Sequence, residues 1–168
     1  HAGDDGDNVL EAGESWIYKA TGTVQALGGL GSAVTVDFSG NSATDGTNGN
    51  VRTYTAGDVT IQAEAFSRDK STGAWSEAFL GAYGGGLGVT DSSEGDGAGD
   101  QLHTIDNTGR DNYIVFQFSK DVVIDKAYLG YVVCDSDIQV WVGNANSPIT
   151  TMSNAVLTSM GFSEVNTT

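Results

Sequence analysis

Five carboxylates, Asp4, Asp5, Asp7, Glu11 and Glu14, crowd the opening stretch HAGDDGDNVLEAGESW together with Asn8 and glycines. Oxygen atoms at this density suit a hard divalent cation such as Ca2+, which takes several oxygen ligands on a turning loop. Laid on the twelve-position calcium loop, the side-chain places 3, 5, 9 and 12 fall on Asp5, Asp7, Glu11 and Glu14, and Val9 supplies the backbone carbonyl. Leu10 takes the apolar place that faces a core. Two places depart from the pattern: Gly3 stands at the first ligand position, and Asn8 stands where a tight turn with positive φ favours Gly.

A second acidic stretch, VTDSSEGDGAGDQLHTIDNTGRDN, carries Asp91, Glu94, Asp96, Asp100, Asp106 and Asp111 against the single Arg110. Like charges this close repel unless water solvates them or a cation bridges them. The stretch therefore reads either as a hydrated loop or as a calcium-organised one, with Asp91, Glu94, Asp96, Asp100 and Asp106 as candidate ligands. Spacing does not decide among them, and no Cys-His pattern suits zinc. His103 lies near Asp106, but no Gly-x-Ser-x-Gly elbow or comparable nucleophile accompanies it, so no catalytic residue is assigned and the chain is not expected to be an enzyme. Carboxylate pairs for glycosidic hydrolysis fall in Gly-rich turns, away from rigid strand ends. Aromatic faces stack on sugar rings, which makes Trp75, beside the polar turn RDKSTGAWSE, and Trp141 candidates for carbohydrate binding, although most aromatics here belong to a core.

With 168 residues the chain supports one domain, or one and a fragment. Apolar residues make up 39% and glycine occurs 24 times against one proline, the profile of a loop-rich β protein. The net charge of −15 argues against nucleic acid or an anionic membrane surface as partner, because phosphate binding needs basic patches. No run approaches the ~18 apolar residues of a spanning helix, so direct membrane insertion is not expected. The single Cys134 sits among Val132, Val133 and Ile138 and reads as a strand-interior thiol.

The elements that would carry these residues alternate with period two. Ala33 to Ser39 and Asp58 to Phe66 read as half-buried strands, the latter placing Val59, Ile61, Ala63 and Ala65 on one face and Thr60, Gln62 and Glu64 on a wet face. Trp16 to Leu27, Glu77 to Tyr83, Tyr113 to Phe118, Val122 to Val133 and Asp137 to Val142 follow, separated by turn residues that include Asp45-Gly and Asn48-Gly. His103 falls in a further apparent strand between Leu102 and Thr104. The expected fold is all-β, an antiparallel β-sandwich of jelly-roll or immunoglobulin-like type. One short C-terminal helix follows Ser147-Pro148, from the spacing of Met152, Val156, Leu157 and Met160, with Gly161 as its cap. Two parts are expected: residues 1–30 as calcium loop and strand, and residues 31–168 as the sandwich.

The stretch from Leu80 to Gly143 resembles the bacterial exosortase-dependent surface proteins that carry a PEP-CTERM sorting tail. The shared features are Gly-Gly-Leu-Gly-Val-Thr with its acidic follow-on, Ile-Asp-Asn-x-Gly before an aromatic strand, and Asp-Ser-Asp-Ile-x-Val-Trp. The opening GDNVLEAGESWIYKATGTV is similar to the calcium-loop element of repeated bacterial surface and adhesin domains, matched at Asp7, Leu10, Gly13, Glu14, Trp16 and Tyr18. The resemblance implies export and residence at the cell surface or in an extracellular matrix. No Pro-Glu-Pro motif or hydrophobic tail follows Thr168; either processing has removed them or the chain is a portion of a longer one. The expectation is a secreted, calcium-stabilised structural or adhesive subunit of a surface layer, matrix or fibre. It would self-associate into a polymer by strand exchange through Trp16 to Leu27. The alternative is a calcium-dependent carbohydrate-binding module that takes polysaccharide.

Overall fold

The computed structural model describes residues 33–40, 49–95, 102–132, 138–145 and 147–162. All but Ala33 belong to the second of two compact units, Val34–Thr168. Among the described residues the fold is all-β with one short helix, as the alternation predicts. Strand β1 (Val51–Ala56) turns through Gly57 and Asp58, where φ at Gly57 is +61°, into the eleven-residue β2 (Val59–Asp69). A two-residue turn needs that left-handed conformation to match the twist of its strands. β6 (Arg110–Phe118) pairs antiparallel with β2 from Ile61 to Asp69. A strand has two edges, so β1 and the short β3 (Trp75–Glu77) must follow one another along the opposite edge of β2. β4 (Phe79–Tyr83) and β5 (Gly86–Thr90) form a separate hairpin. The expected strand Glu77 to Tyr83 is thus divided at Ala78, where the chain leaves the sheet for the hairpin.

Side-chain parity sorts β2 into two faces, and both are covered. Ala63 and Ala65 pack against Leu80 and Val89 of the hairpin, with Tyr54, Leu87 and Ile114 at the margin. Two alanines facing the hairpin let it approach closely. Phe66 on the other face packs with Ile149, Met152 and Leu157, and with Trp75, Tyr113 and Val115 around them. This second cover is the uncharged segment Ser147–Phe162, called the strap below. Its helix α1 (Asn154–Ser159) is capped by Ser153, whose hydroxyl accepts from the Val156 N–H. It stops where Gly161 takes φ +81° and Phe162 N–H returns to the Leu157 carbonyl. The helix expected from Met152 to Gly161 is therefore present. The strap is held by Gln117 of β6, whose amide donates to the Ile149 carbonyl (3.0 Å) and accepts from its N–H (2.7 Å).

Three expectations are corrected. The face of β2 expected to be wet is exposed at Thr60 but buried at Glu64, which is 1% exposed beside Phe66, the residue on which the strap packs. Ala33 to Ser39 forms no ladder; instead Phe38 packs edge-on against Tyr54 at 4.9 Å and beside Phe116 at 5.3 Å. Among the described residues, 122–132 and 138–142 likewise form no strand. Their apolar side chains stand in solvent: Val123 at 61%, Tyr128 at 82%, Val140 at 68% and Val142 at 76% exposed. Trp16 to Leu27, the turns at Asp45 and Asn48, and Cys134 lie outside the described residues.

Candidate functional site

The acids that follow β5 fold into a corner. The Asp91 carboxylate accepts from the Ser93 N–H (2.7 Å) and hydroxyl (2.6 Å) through Oδ1, and from the Asn112 amide (2.7 Å) through Oδ2. Glu94 closes the turn in return, its Oε2 accepting from the Asp91 N–H at 2.7 Å while its own N–H donates to the Asp91 carbonyl. Both side chains are buried. Asp106 accepts from the Thr104 hydroxyl (2.8 Å) and the Thr108 N–H (2.7 Å), and its carbonyl accepts from the Asn112 N–H. Asn112 of β6 therefore ties the two acidic turns together, and Gly109 at φ +75° leaves room for Ser93.

The hairpin supports this corner from beneath. Gly81 and Gly88 face each other across β4 and β5, and the Tyr83 ring lies over the pair, where a Cβ on Gly81 would meet it at 2.4 Å. His103 stacks on Tyr83 with ring centroids 4.2 Å apart, and its carbonyl crosses so near Gly88 that any side chain there would collide. His103 thus sits in a turn, which corrects the strand expected at Leu102 to Thr104. Burial raises the Glu94 carboxyl above its usual range; the Asp91 N–H bond opposes this, Asp91 and Asp106 add to it, and His103 opposes it.

Of the predicted ligands, Asp91 and Glu94 are brought into direct contact, with Asp106 close enough to act on Glu94 through its charge. Their oxygens are engaged by the chain's own donors, and among the described residues no three His, Cys, Asp or Glu side chains converge on a common point. Asp96, Asp100 and the N-terminal set Asp5, Asp7, Val9, Glu11 and Glu14 lie outside the described residues. Asn112→Asp would set two carboxylates at hydrogen-bond distance. The expected loss is about 1–2 kcal/mol at neutral pH, relieved on acidification, which urea unfolding at two pH values would measure.

The aromatic candidates form a row. Trp75 is half-buried beside its polar turn; its ring lies 4.7 Å from Tyr113 and its indole N–H donates to Asn154 at 2.8 Å. Trp141 is flanked by Tyr113 at 6.3 Å and Phe162 at 6.2 Å. Trp141 stacks between Tyr113 and Phe162 while Trp75 is tilted by 50° on Tyr113, and the two tryptophans meet the strap at Phe162 and Asn154.

Sequence reasoning missed three residues. Arg110 was noted only as the lone cation of the acidic stretch. It donates to the Ser67 hydroxyl (2.9 Å) and carbonyl (3.4 Å), the Ala74 carbonyl (3.1 Å), the Ser76 hydroxyl (3.3 Å) and Asp69 (3.3 Å). Gln117 and Glu64 gave no signal beyond their polarity at strand positions. Glu64 accepts from the Gln62 amide through Oε1, while its buried Oε2 has no partner. Among the described residues, a surface depression of about 300 Å³ is lined by Asn50, Glu77, Phe79, Thr90 and Asp91, and another of about 200 Å³ by Ile149, Val156 and Met160 of the strap. Among the described residues no helix is long and apolar enough to cross a membrane. No family model, curated protein or solved structure matches this chain.

Proposed function

We propose that the chain is a secreted, self-associating structural subunit of a bacterial surface layer, matrix or fibre. The observation that carries this reading is the pair of segments 122–132 and 138–142. Their sequences have the β-branched alternation of strands, yet apart from the half-buried Trp141 their apolar side chains are exposed. Apolar surface of this extent on a soluble chain marks a surface that another chain covers. Strand addition would satisfy both the side chains and the backbone groups, and it would complete the sandwich that the patterning predicts. The donor on this reading is Trp16 to Leu27 of a neighbouring copy, a twelve-residue alternating segment. Calcium held by the N-terminal carboxylates would neutralise part of the −15 charge that otherwise opposes assembly. The resemblance of Leu80 to Gly143 to exosortase-dependent surface proteins supports export.

Sedimentation and electron microscopy of the whole chain test the proposal. In millimolar calcium the chain is expected to form assemblies that shrink in chelator, with a higher melting temperature when calcium is present. Deleting residues 1–27 is expected to abolish long assemblies. A chain that stays monomeric at every concentration, with and without calcium, would overturn the reading.

A further inference from the structure

Glu64 is the most enclosed acid described, and its position explains more than its own energetics. It stands on β2 between Gln62 and Phe66, on the face the strap covers, and Val115 pairs with it from β6. Gln117, the clamp on Ile149, pairs with Gln62 one step along the same face. One carboxylate oxygen takes the Gln62 amide and the other has no partner. From Ile138 to Phe162 the described residues carry no Asp, Glu, Lys, Arg or His, so the cover brings no counter-charge. Among the described residues the charged groups of this face are Glu77 on β3, Arg68 on β2, and Asp111 on β6, which lies 4.0 Å from the Arg68 guanidinium and 3.8 Å from the Lys70 ammonium. The carboxylate thus sits beneath an apolar layer that closes comfortably only over the neutral acid.

We propose that the strap Ser147–Phe162 is an acid-closed cover on the central sheet, with Glu64 as the proton sensor that sets when it opens. Protonation at Oε2 places a neutral O–H under the strap and the cover stays shut. Ionisation leaves a buried charge whose cheapest relief is water, admitted by lifting the strap while the β1–β2–β6 ladder remains paired. Burial raises the Glu64 carboxyl above its usual range, the Gln62 bond opposes that, and Glu77 adds to it. Because the closed-state value lies above the open-state one, the contribution to closure is complete below the ordinary carboxylate value. It is lost as pH rises through the raised one. The inference is independent of assembly: it concerns one chain and is read on one chain.

Hydrogen exchange of the full chain, corrected for intrinsic rates, tests it. Protection of the Ile149, Leu157 and Met160 amides is expected to fall roughly tenfold for each unit by which the carboxyl is raised, as pH climbs from about 4. Amides of the β2–β6 ladder should not follow. Glu64→Gln, nearly the same shape, is expected to leave strap protection flat with pH, and Glu77→Gln to move the transition to lower pH without removing it. Flat protection in the natural chain, a Glu64→Gln variant that still loses strap protection, or ladder amides that fall in step would each overturn the proposal.

Discussion

Replacing Phe66 by Ala is expected to lower the unfolding free energy by about 3–5 kcal/mol, the largest single-residue effect in the described unit. Phe66 is 1% exposed and is among the largest side chains wholly withdrawn from solvent. It is also the residue of β2 around which Ile149, Met152 and Leu157 gather. Its loss removes a ring from a core and leaves a cavity between two layers, and the strap, anchored at Ile149 by Gln117, can collapse into that cavity only partly. A typical domain holds only about 5–15 kcal/mol in reserve, so this variant would sit near its limit. Urea unfolding supplies the measurement, with Trp75 as reporter because its ring packs on Tyr113 at the margin of the same cluster. Phe66→Leu should cost no more than about 1.5 kcal/mol and keep the reporter signal. A loss under about 1 kcal/mol for the alanine variant would mean that the strap does not depend on this face.

The position of β2 was legible from its alternation, but its environment was not. Thr60, Gln62 and Glu64 read as a wet face because local pattern registers polarity; Thr60 is exposed and Gln62 half-buried as that pattern predicts, whereas Glu64 lies on the part of the face that packs with a strap more than eighty residues further on. α1 was legible for the opposite reason. Its apolar spacing and Gly161 all lie within one short window, and helices are specified by near neighbours. The segments 122–132 and 138–142 have strand composition without a ladder, since a strand needs a partner that its own residues do not name. Trp75 looked exposed because its sequence neighbours are polar, yet its indole N–H is taken by Asn154, 79 residues away. The acidic corner shows the same division. The density of Asp91, Glu94 and Asp106 was plain, while Asn112, the donor that joins their turns, looked like any strand asparagine.

Arg110→Ala is expected to cost about 2–3 kcal/mol, more than any surface ion pair would suggest. The guanidinium opens β6 opposite Asp69 and reaches across the β2–β3 turn. It serves acceptors on Ser67, Ala74 and Ser76, and Ser67 is fully buried. Removing the donor takes the guanidinium from Ser67, which is fully buried, while Ala74 and Ser76 are exposed and the Ala74 carbonyl keeps the Asp69 N–H, so the cost is that of the Ser67 acceptors more than of a lost charge pair. Lysine should recover less than half of the loss, because one ammonium cannot present the planar fork that meets acceptors on two strands. The acid limb of the stability curve separates this account from a simple Arg110–Asp69 bridge. Hydrogen bonds from Ser71 and Thr72 hold the Asp69 carboxyl well below the usual carboxylate range. Its stabilisation is therefore present above the unfolded value and is lost as pH falls through the folded one. Those donors belong to the turn itself, through the Ser71 N–H and hydroxyl and the Thr72 N–H. Arg110→Ala should accordingly lower the whole curve while keeping its acid-side fall, whereas Asp69→Asn should flatten that fall. If Arg110→Ala flattened it instead, the turn would be organised by the cation, and the orphaned-acceptor account would fail.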